Sequence, residues 1–244
     1  MGDPAQSALL PFAAREALAY AAEGALLPLA ALRPRRPTGH GPTVVMVHGY
    51  GSGRGAFTPL ERSLREHGYQ RFARHGFITR WKRFDDLVDG LDRFIREQVP
   101  GGPLVLLGHS IGGLLARAWL QRGGEGARRT RGLCTLSSPH EGLWIAPLLP
   151  AVPVMKDLAV ESPTLARLKA GDRHLSEIPA LSIVSSRDHF VRPAEGAAFA
   201  HAELSIVDHV GHVGVLFDAD TQDQVASFLR RVAPPEGQTL RSRP

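Results

Sequence analysis

Leu104-Val-Leu-Leu-Gly-His-Ser-Ile-Gly112 carries an uncharged apolar run straight into a Gly-x-Ser-x-Gly pentapeptide. The run reads as a buried strand, and the pentapeptide as a sharp strand-to-helix turn with Ser110 at its tip. Gly108 and Gly112 lack the Cβ atoms that would collide where the chain turns and where strand and helix approach. A serine hydroxyl is a poor nucleophile at neutral pH, so Ser110 requires both an exposed perch and a base within reach.

The flanking sequence supplies the perch. Thr43-Val-Val-Met-Val47 is a second uncharged, β-branched run, followed at once by His48-Gly-Tyr-Gly-Ser-Gly53. Further strands are predicted at 69–72, 132–137, 180–185 and 203–207, and helices at 56–67, 83–98, 111–122 and 221–232. The 83–98 helix is amphipathic, with Phe84, Leu87, Val88, Leu91, Phe94 and Ile95 at spacings of three and four. Such alternation predicts an α/β domain with a mostly parallel central sheet and helices on both faces. Residues 139–176 break the alternation, placing Trp144, Ile145, Leu148, Leu149, Val152 and Met155 among the prolines at 139, 147, 150 and 153. A short cap insertion over the mouth of the site explains them, and completion of the core is the alternative.

A chain of 244 residues with 43% hydrophobic content accommodates one large domain, expected over 41–233. Residues 1–40 read as an N-terminal helical segment and connector, and 234–244 as a flexible tail. Cys134 stands alone, which excludes an internal disulfide and a cysteine-based zinc site. The net charge of +5 sets 29 basic residues against 24 acidic ones, and the basic residues, 26 arginines and 3 lysines, are scattered without interleaved aromatics, so no nucleic-acid partner is expected. No stretch reaches the ~18–20 apolar residues of a membrane span, and the N-terminus lacks the charged start of a signal peptide. A cytoplasmic location is expected. The alanine- and leucine-rich segment at 8–36, ending in Arg33, Arg35 and Arg36, is a candidate for peripheral membrane contact or for packing on the domain.

Candidate partners for Ser110 follow the late strands. His212 lies in Asp208-His-Val-Gly-His-Val-Gly214, where Gly211 lets the loop turn an imidazole toward the sheet edge. Asp188 follows the strand at 181–185 directly and is placed to accept the other imidazole N–H. Asp208 and His209 compete for these two roles. The backbone N–H groups of Tyr50 and Ile111 are candidates to hold an oxyanion.

Gly108-His-Ser-Ile-Gly112 after a strand, the early His48-Gly-Tyr-Gly51 loop, and Ser110, Asp188 and His212 in that order resemble the α/β-hydrolase superfamily over roughly residues 43–232. Ser137-Ser-Pro-His-Glu-Gly142 and Gly211-His-Val-Gly214 are similar to stretches of bacterial lipases. The resemblance implies an α/β-hydrolase fold and a lipase-like carboxylic ester hydrolase. Ser110, His212 and Asp188 would then form its catalytic triad, acting on an acyl ester or lipid without cofactor or metal. Expected substrate contacts are His48, Gly49, His109, Trp144, Leu148 and Met155. Thioesterase, acyltransferase and amidase chemistry use the same machinery, and a non-catalytic lipid-binding module remains a different class of reading.

Overall fold

The computed structural model describes residues 12–28, 36–79, 81–192, 198–199 and 201–236. Its six strands are β1 (Thr43–Val47), β2 (Arg71–His75), β3 (Leu104–His109), β4 (Thr130–Leu136), β5 (Ala180–Ser185) and β6 (Ala202–Val207). They form one parallel sheet in the order β2-β1-β3-β4-β5-β6. The helices are α1 (Phe12–Leu26), α2 (Thr58–Glu66), α3 (Phe84–Gln98), α4 (Ile111–Arg122), the single turn α5 (Glu125–Arg128), α6 (Pro153–Leu158), α7 (Pro163–Gly171) and α8 (Ala219–Val232).

Alternate residues of the central strands feed two separate cores. Val45, Val47, Leu104 and Leu106 pack with Leu87, Leu91 and Ile95 of α3 and with Leu114 and Leu115 of α4. Val44, Met46, Val105 and Leu107 pack on the opposite face with Leu60 and Leu64 of α2 and with Val225, Phe228 and Leu229 of α8. Both faces of β1 and β3 are therefore covered, which is why these strands read as unbroken apolar runs rather than alternating ones. Cys134 lies in the second core, and burial pushes its thiol pKa up.

β2 departs from expectation. The apolar pair Tyr69 and Phe72 points to a strand at 69–72, whereas pairing runs from Arg71 to His75. Tyr69 belongs to the turn that ends α2: its N–H donates to the Leu64 carbonyl and its hydroxyl to the Ala233 carbonyl. β2 is an edge strand, and edges tolerate the arginines at 71 and 74 that disguise it.

The 139–176 segment does two things. Val154, Met155, Leu158, Leu165 and Leu168 extend the core over α3 and α4, while the 143–149 stretch turns toward the mouth above β3. Buried carboxylates hold it down. Asp157 of α6 accepts from the Phe84 N–H at the start of α3 and takes both guanidinium contacts of Arg83. Asp172, at the end of α7, receives the Arg117 guanidinium of α4 at 2.9 and 2.8 Å. The tail beyond Glu236 and the part of the connector before Arg36 lie outside the described residues.

The Arg117–Asp172 pair is buried on both sides, so removing one partner strands the other charge. Arg117→Met is expected to lower stability to urea by about 3–5 kcal/mol. Arg117→Met combined with Asp172→Leu should recover much of that loss, and equal loss in both variants would contradict the account.

Candidate active site

β3 ends at His109 and α4 begins at Ile111, so a single residue makes the turn between them. Ser110 adopts φ 54°, ψ −128°, a region that side-chain-bearing residues rarely occupy. The space around it explains the neighbouring glycines. A Cβ on Gly112 would lie 2.0 Å from the Val47 carbonyl oxygen of β1, and one on Gly108 would lie 2.4 Å from Gly113 Cα. Gly113 in turn abuts Ser138, which explains the packing of the Ser137-Ser-Pro-His140 stretch against the turn.

The loops after β5 and β6 arrive beside Ser110. His212 Nε2 is 3.1 Å from Ser110 Oγ, and His212 Nδ1 is 2.7 Å from Asp188 Oδ2. Asp188, 2% exposed, also accepts from the Phe190 and Val191 N–H groups through Oδ1. Burial pushes its carboxyl pKa up, but the hydrogen bond and charge of His212 and the two amides outweigh it and leave it below the ordinary value. Phe190 meets the His212 ring edge-on at 5.1 Å.

Neither competitor reaches Ser110. The Asp208 carboxylate is 86% exposed and faces His209, while His209 Nε2 pairs with Asp218 at 2.8 Å. Asp218 also caps α8 by accepting from the Thr221 N–H and hydroxyl. Among the described residues, His209, Asp218 and Asp220 are the one group with donor atoms close enough to share a metal ion. Helix capping and the His209 pair account for the arrangement.

Two further histidines brace the site in neutral form. His48 donates from Nδ1 to the Gly49 carbonyl and accepts from the Phe77 N–H at Nε2. Its ring stacks on Phe77 at 4.2 Å, and burial, helped by Arg54, lowers its pKa to about 4. His109 donates from Nε2 to the His212 carbonyl at 2.8 Å, and burial, followed by the nearby His212, lowers its pKa to about 3. His140 is buried away from Ser110, accepting from Arg117 at Nδ1 and meeting Thr135 at Nε2.

A cavity of about 280 Å³ opens over Ser110. Gly49, Tyr50, His109 and Met155 line it together with Leu143, Ile145, Leu149, Phe190, Val213, Tyr20 and Glu23. Three expected substrate contacts stand outside this lining. His48 is buried beneath the loop, Trp144 turns outward to donate to the His189 carbonyl, and Leu148 is 72% exposed. Gly49 abuts Ser110, a Cβ there falling 3.1 Å from Ser110 Cβ, so the Tyr50 loop sits beside the serine. Ile111 opens α4, where helix N–H groups have no partner within the helix. Sequence reasoning missed Tyr20 and Glu23 altogether, because an alanine-rich helix carries no signal of which acid or tyrosine faces a distant pocket.

A parallel sheet, a strained serine at a strand-to-helix turn and a Ser–His–Asp hydrogen-bonded chain define the α/β-hydrolase class. The family model described as serine aminopeptidase, S33, matches residues 39–160, half of the chain, and the chain belongs to this α/β-hydrolase family. No curated protein matches it in sequence. Among solved structures it is similar to the phospholipase PlaB from Legionella pneumophila (13% identity, TM-score 0.66), over 78% of this chain and 60% of that one. The chain thus spans three fifths of that protein's length. It is also similar to the Bacillus licheniformis lipase BlEst2 (14% identity, TM-score 0.65, 81% of this chain and 96% of that one). A third likeness is to the naproxen esterase of Bacillus subtilis (15% identity, TM-score 0.59, 91% and 99%).

Two predictions follow from the geometry. Ser110→Gly and Ser110→Ala both remove the hydroxyl, but only glycine relieves the positive φ, so the glycine variant should be more stable to urea by about 1 kcal/mol. Equal stabilities would mean that the turn stores no strain. Separately, His48 and His109 stay neutral when folded down to about pH 4 and 3, whereas unfolded histidine takes up a proton near pH 6.5. Between those values the unfolded chain binds more protons, so this stability is present in full above pH 6.5 and drains as pH falls toward 4. Each histidine contributes a slope of up to about 1.4 kcal/mol per pH unit, measurable as a urea midpoint that drops between pH 7 and 5.

Proposed function

We propose that the chain is a serine carboxylic ester hydrolase of lipase-like type. The observation that carries this reading is the hydrogen-bonded series Ser110, His212, Asp188 at the floor of a cavity walled by Leu143, Ile145, Leu149, Met155 and Phe190. Ser110 Oγ gives its proton to His212 Nε2 and attacks the acyl carbonyl, while Asp188 stabilises the imidazolium through Nδ1–H. The Tyr50 and Ile111 N–H groups receive the oxyanion. His212 then protonates the departing alcohol, and water repeats the sequence to release the acid and free Ser110.

An apolar wall favours an acyl chain, since burying apolar surface is worth roughly 25 cal/mol per Å². A second recess of about 480 Å³ shares Tyr50 and Ser52 with the first and is walled by Phe77, Ile78, Trp81 and Val152, which supports a long or branched substrate. Exposed Leu18, Tyr20 and Leu27 on and just after α1 support peripheral contact with a lipid surface through residues 8–36, of which 12–28 and 36 are described. No helix among the described residues is long and apolar enough to cross a membrane. Glu23 at the cavity wall favours a second reading, cleavage of an aminoacyl amide, because a carboxylate there suits a free amine.

Hydrolysis of p-nitrophenyl esters from two to sixteen carbons tests the reading, with aminoacyl p-nitroanilides alongside. Ester turnover should peak at eight carbons or more and fall on the order of 10⁶ in Ser110→Ala. Asp188→Asn should cost on the order of 10⁴, with Asp208→Asn unchanged. Turnover of the anilides alone would instead establish the amide reading.

A further inference from the structure

Glu16 sits in the second turn of α1, 195 residues from the histidine loop in sequence, yet its side chain is spent entirely on that loop. Oε2 accepts from the Gly211 N–H at 2.9 Å and the Gly214 N–H at 3.1 Å, and Oε1 accepts from the Val213 N–H at 2.8 Å. Glu16 is 8% exposed, and three amide donors compensate a carboxylate taken out of water.

The three amides bracket His212. The loop is shaped to receive the carboxylate: a Cβ on Gly211 would lie 2.5 Å from Glu16 Cδ, and one on Gly214 would lie 2.7 Å from Oε2. Two other anchors hold the same stretch. Ser185 Oγ donates to the Val210 carbonyl at 2.5 Å, and His109 Nε2 donates to the His212 carbonyl. Those two grip carbonyls on either side of Gly211; Glu16 grips the N–H groups on both sides of His212.

We propose that Glu16 is a positioning residue, which sets the backbone at 211–214 so that His212 spans Ser110 and Asp188. This rests on the ester-hydrolase reading above. Misplacing a reacting group by about 1 Å costs roughly 10²-fold in rate, and this loop carries the base. It follows that α1 is part of the catalytic apparatus, since Tyr20 and Glu23 on the same helix wall the cavity. Glu16→Gln keeps one acceptor oxygen but turns an NH₂ group toward amide donors, while Glu16→Ala removes both acceptors.

The test uses the full chain carrying Glu16→Gln, Glu16→Ala or, as a control of the same chemistry, Glu97→Gln, which alters an exposed carboxylate on α3. Steady-state ester hydrolysis and the rate of fluorophosphonate labelling are measured well below each variant's melting temperature. Glu16→Gln should lower kcat roughly 10–100-fold with KM within about twofold, and labelling should slow in proportion. Glu16→Ala should lose more, and Glu97→Gln should match the native rate. A purely structural role would lower the melting temperature and leave kcat intact, so folded Glu16 variants with kcat within twofold of native overturn the proposal. If Glu16→Ala does not fold, Glu16→Gln decides. Hydrolysis that survives Ser110→Ala overturns the ester-hydrolase reading itself, and Ser110-dependent hydrolysis that ignores Glu16 overturns only the positioning role.

Discussion

The crossing of α4 over the end of β1 is the constraint on which the site depends. The Val47 carbonyl occupies the place a side chain on Gly112 would need, and Gly113 occupies the place a side chain on Gly108 would need. The turn between β3 and α4 is thereby compressed to one residue, and Ser110 is driven into positive φ with its hydroxyl projecting from the sheet edge. Strain of this kind survives only where the surroundings over-determine it. Here they do so through two cores, one on each face of the sheet, that lock β1 and β3 between helices. Because β3 lies at the centre of a parallel sheet, the loops leaving β1, β5 and β6 emerge along the same edge and can converge on the serine.

Buried carboxylates recur wherever a segment outside the sheet must be held. Asp157 fastens α6 to the start of α3, Asp172 fastens the end of α7 to α4, Asp188 orients His212, and Glu16 fastens α1 to the loop that carries His212. Each is costly to bury and stays buried only while its donors are in place. Such contacts add little net stability compared with apolar packing, but they admit few alternative geometries, which is what a site built from distant segments requires.

The imidazoles divide in the same manner. Burial holds His48 and His109 neutral, so that each donates one N–H and braces a loop through it. In the proposed reaction the proton is then left to His212, whose Nδ1 faces a carboxylate kept ionised by its own hydrogen bonds. His109, inside the pentapeptide, links the turn that presents Ser110 to the loop that presents His212.

Much of this was legible in the sequence because it is encoded locally. Uncharged runs at 43–47, 104–107 and 180–185 report strands buried on both faces, and glycines at 108 and 112 report a crowded turn, since burial and steric exclusion act on neighbouring residues. The order Ser110, Asp188, His212 was readable for the same reason: each follows the strand that delivers it. What the tertiary structure alone decided concerns choices among residues that look alike in sequence. Asp188 rather than Asp208 meets His212 because the turn after β5 is buried beside His212, while the turn after β6 leaves the Asp208 carboxylate in solvent. β2 was misplaced because an edge strand can carry charge. Trp144 and Leu148 face outward while Leu149 and Ile145 face in, since a proline-rich segment has no period to read. Glu16 is one acid among 24 Asp and Glu residues, and only packing across 195 residues brings it to the amides that flank His212.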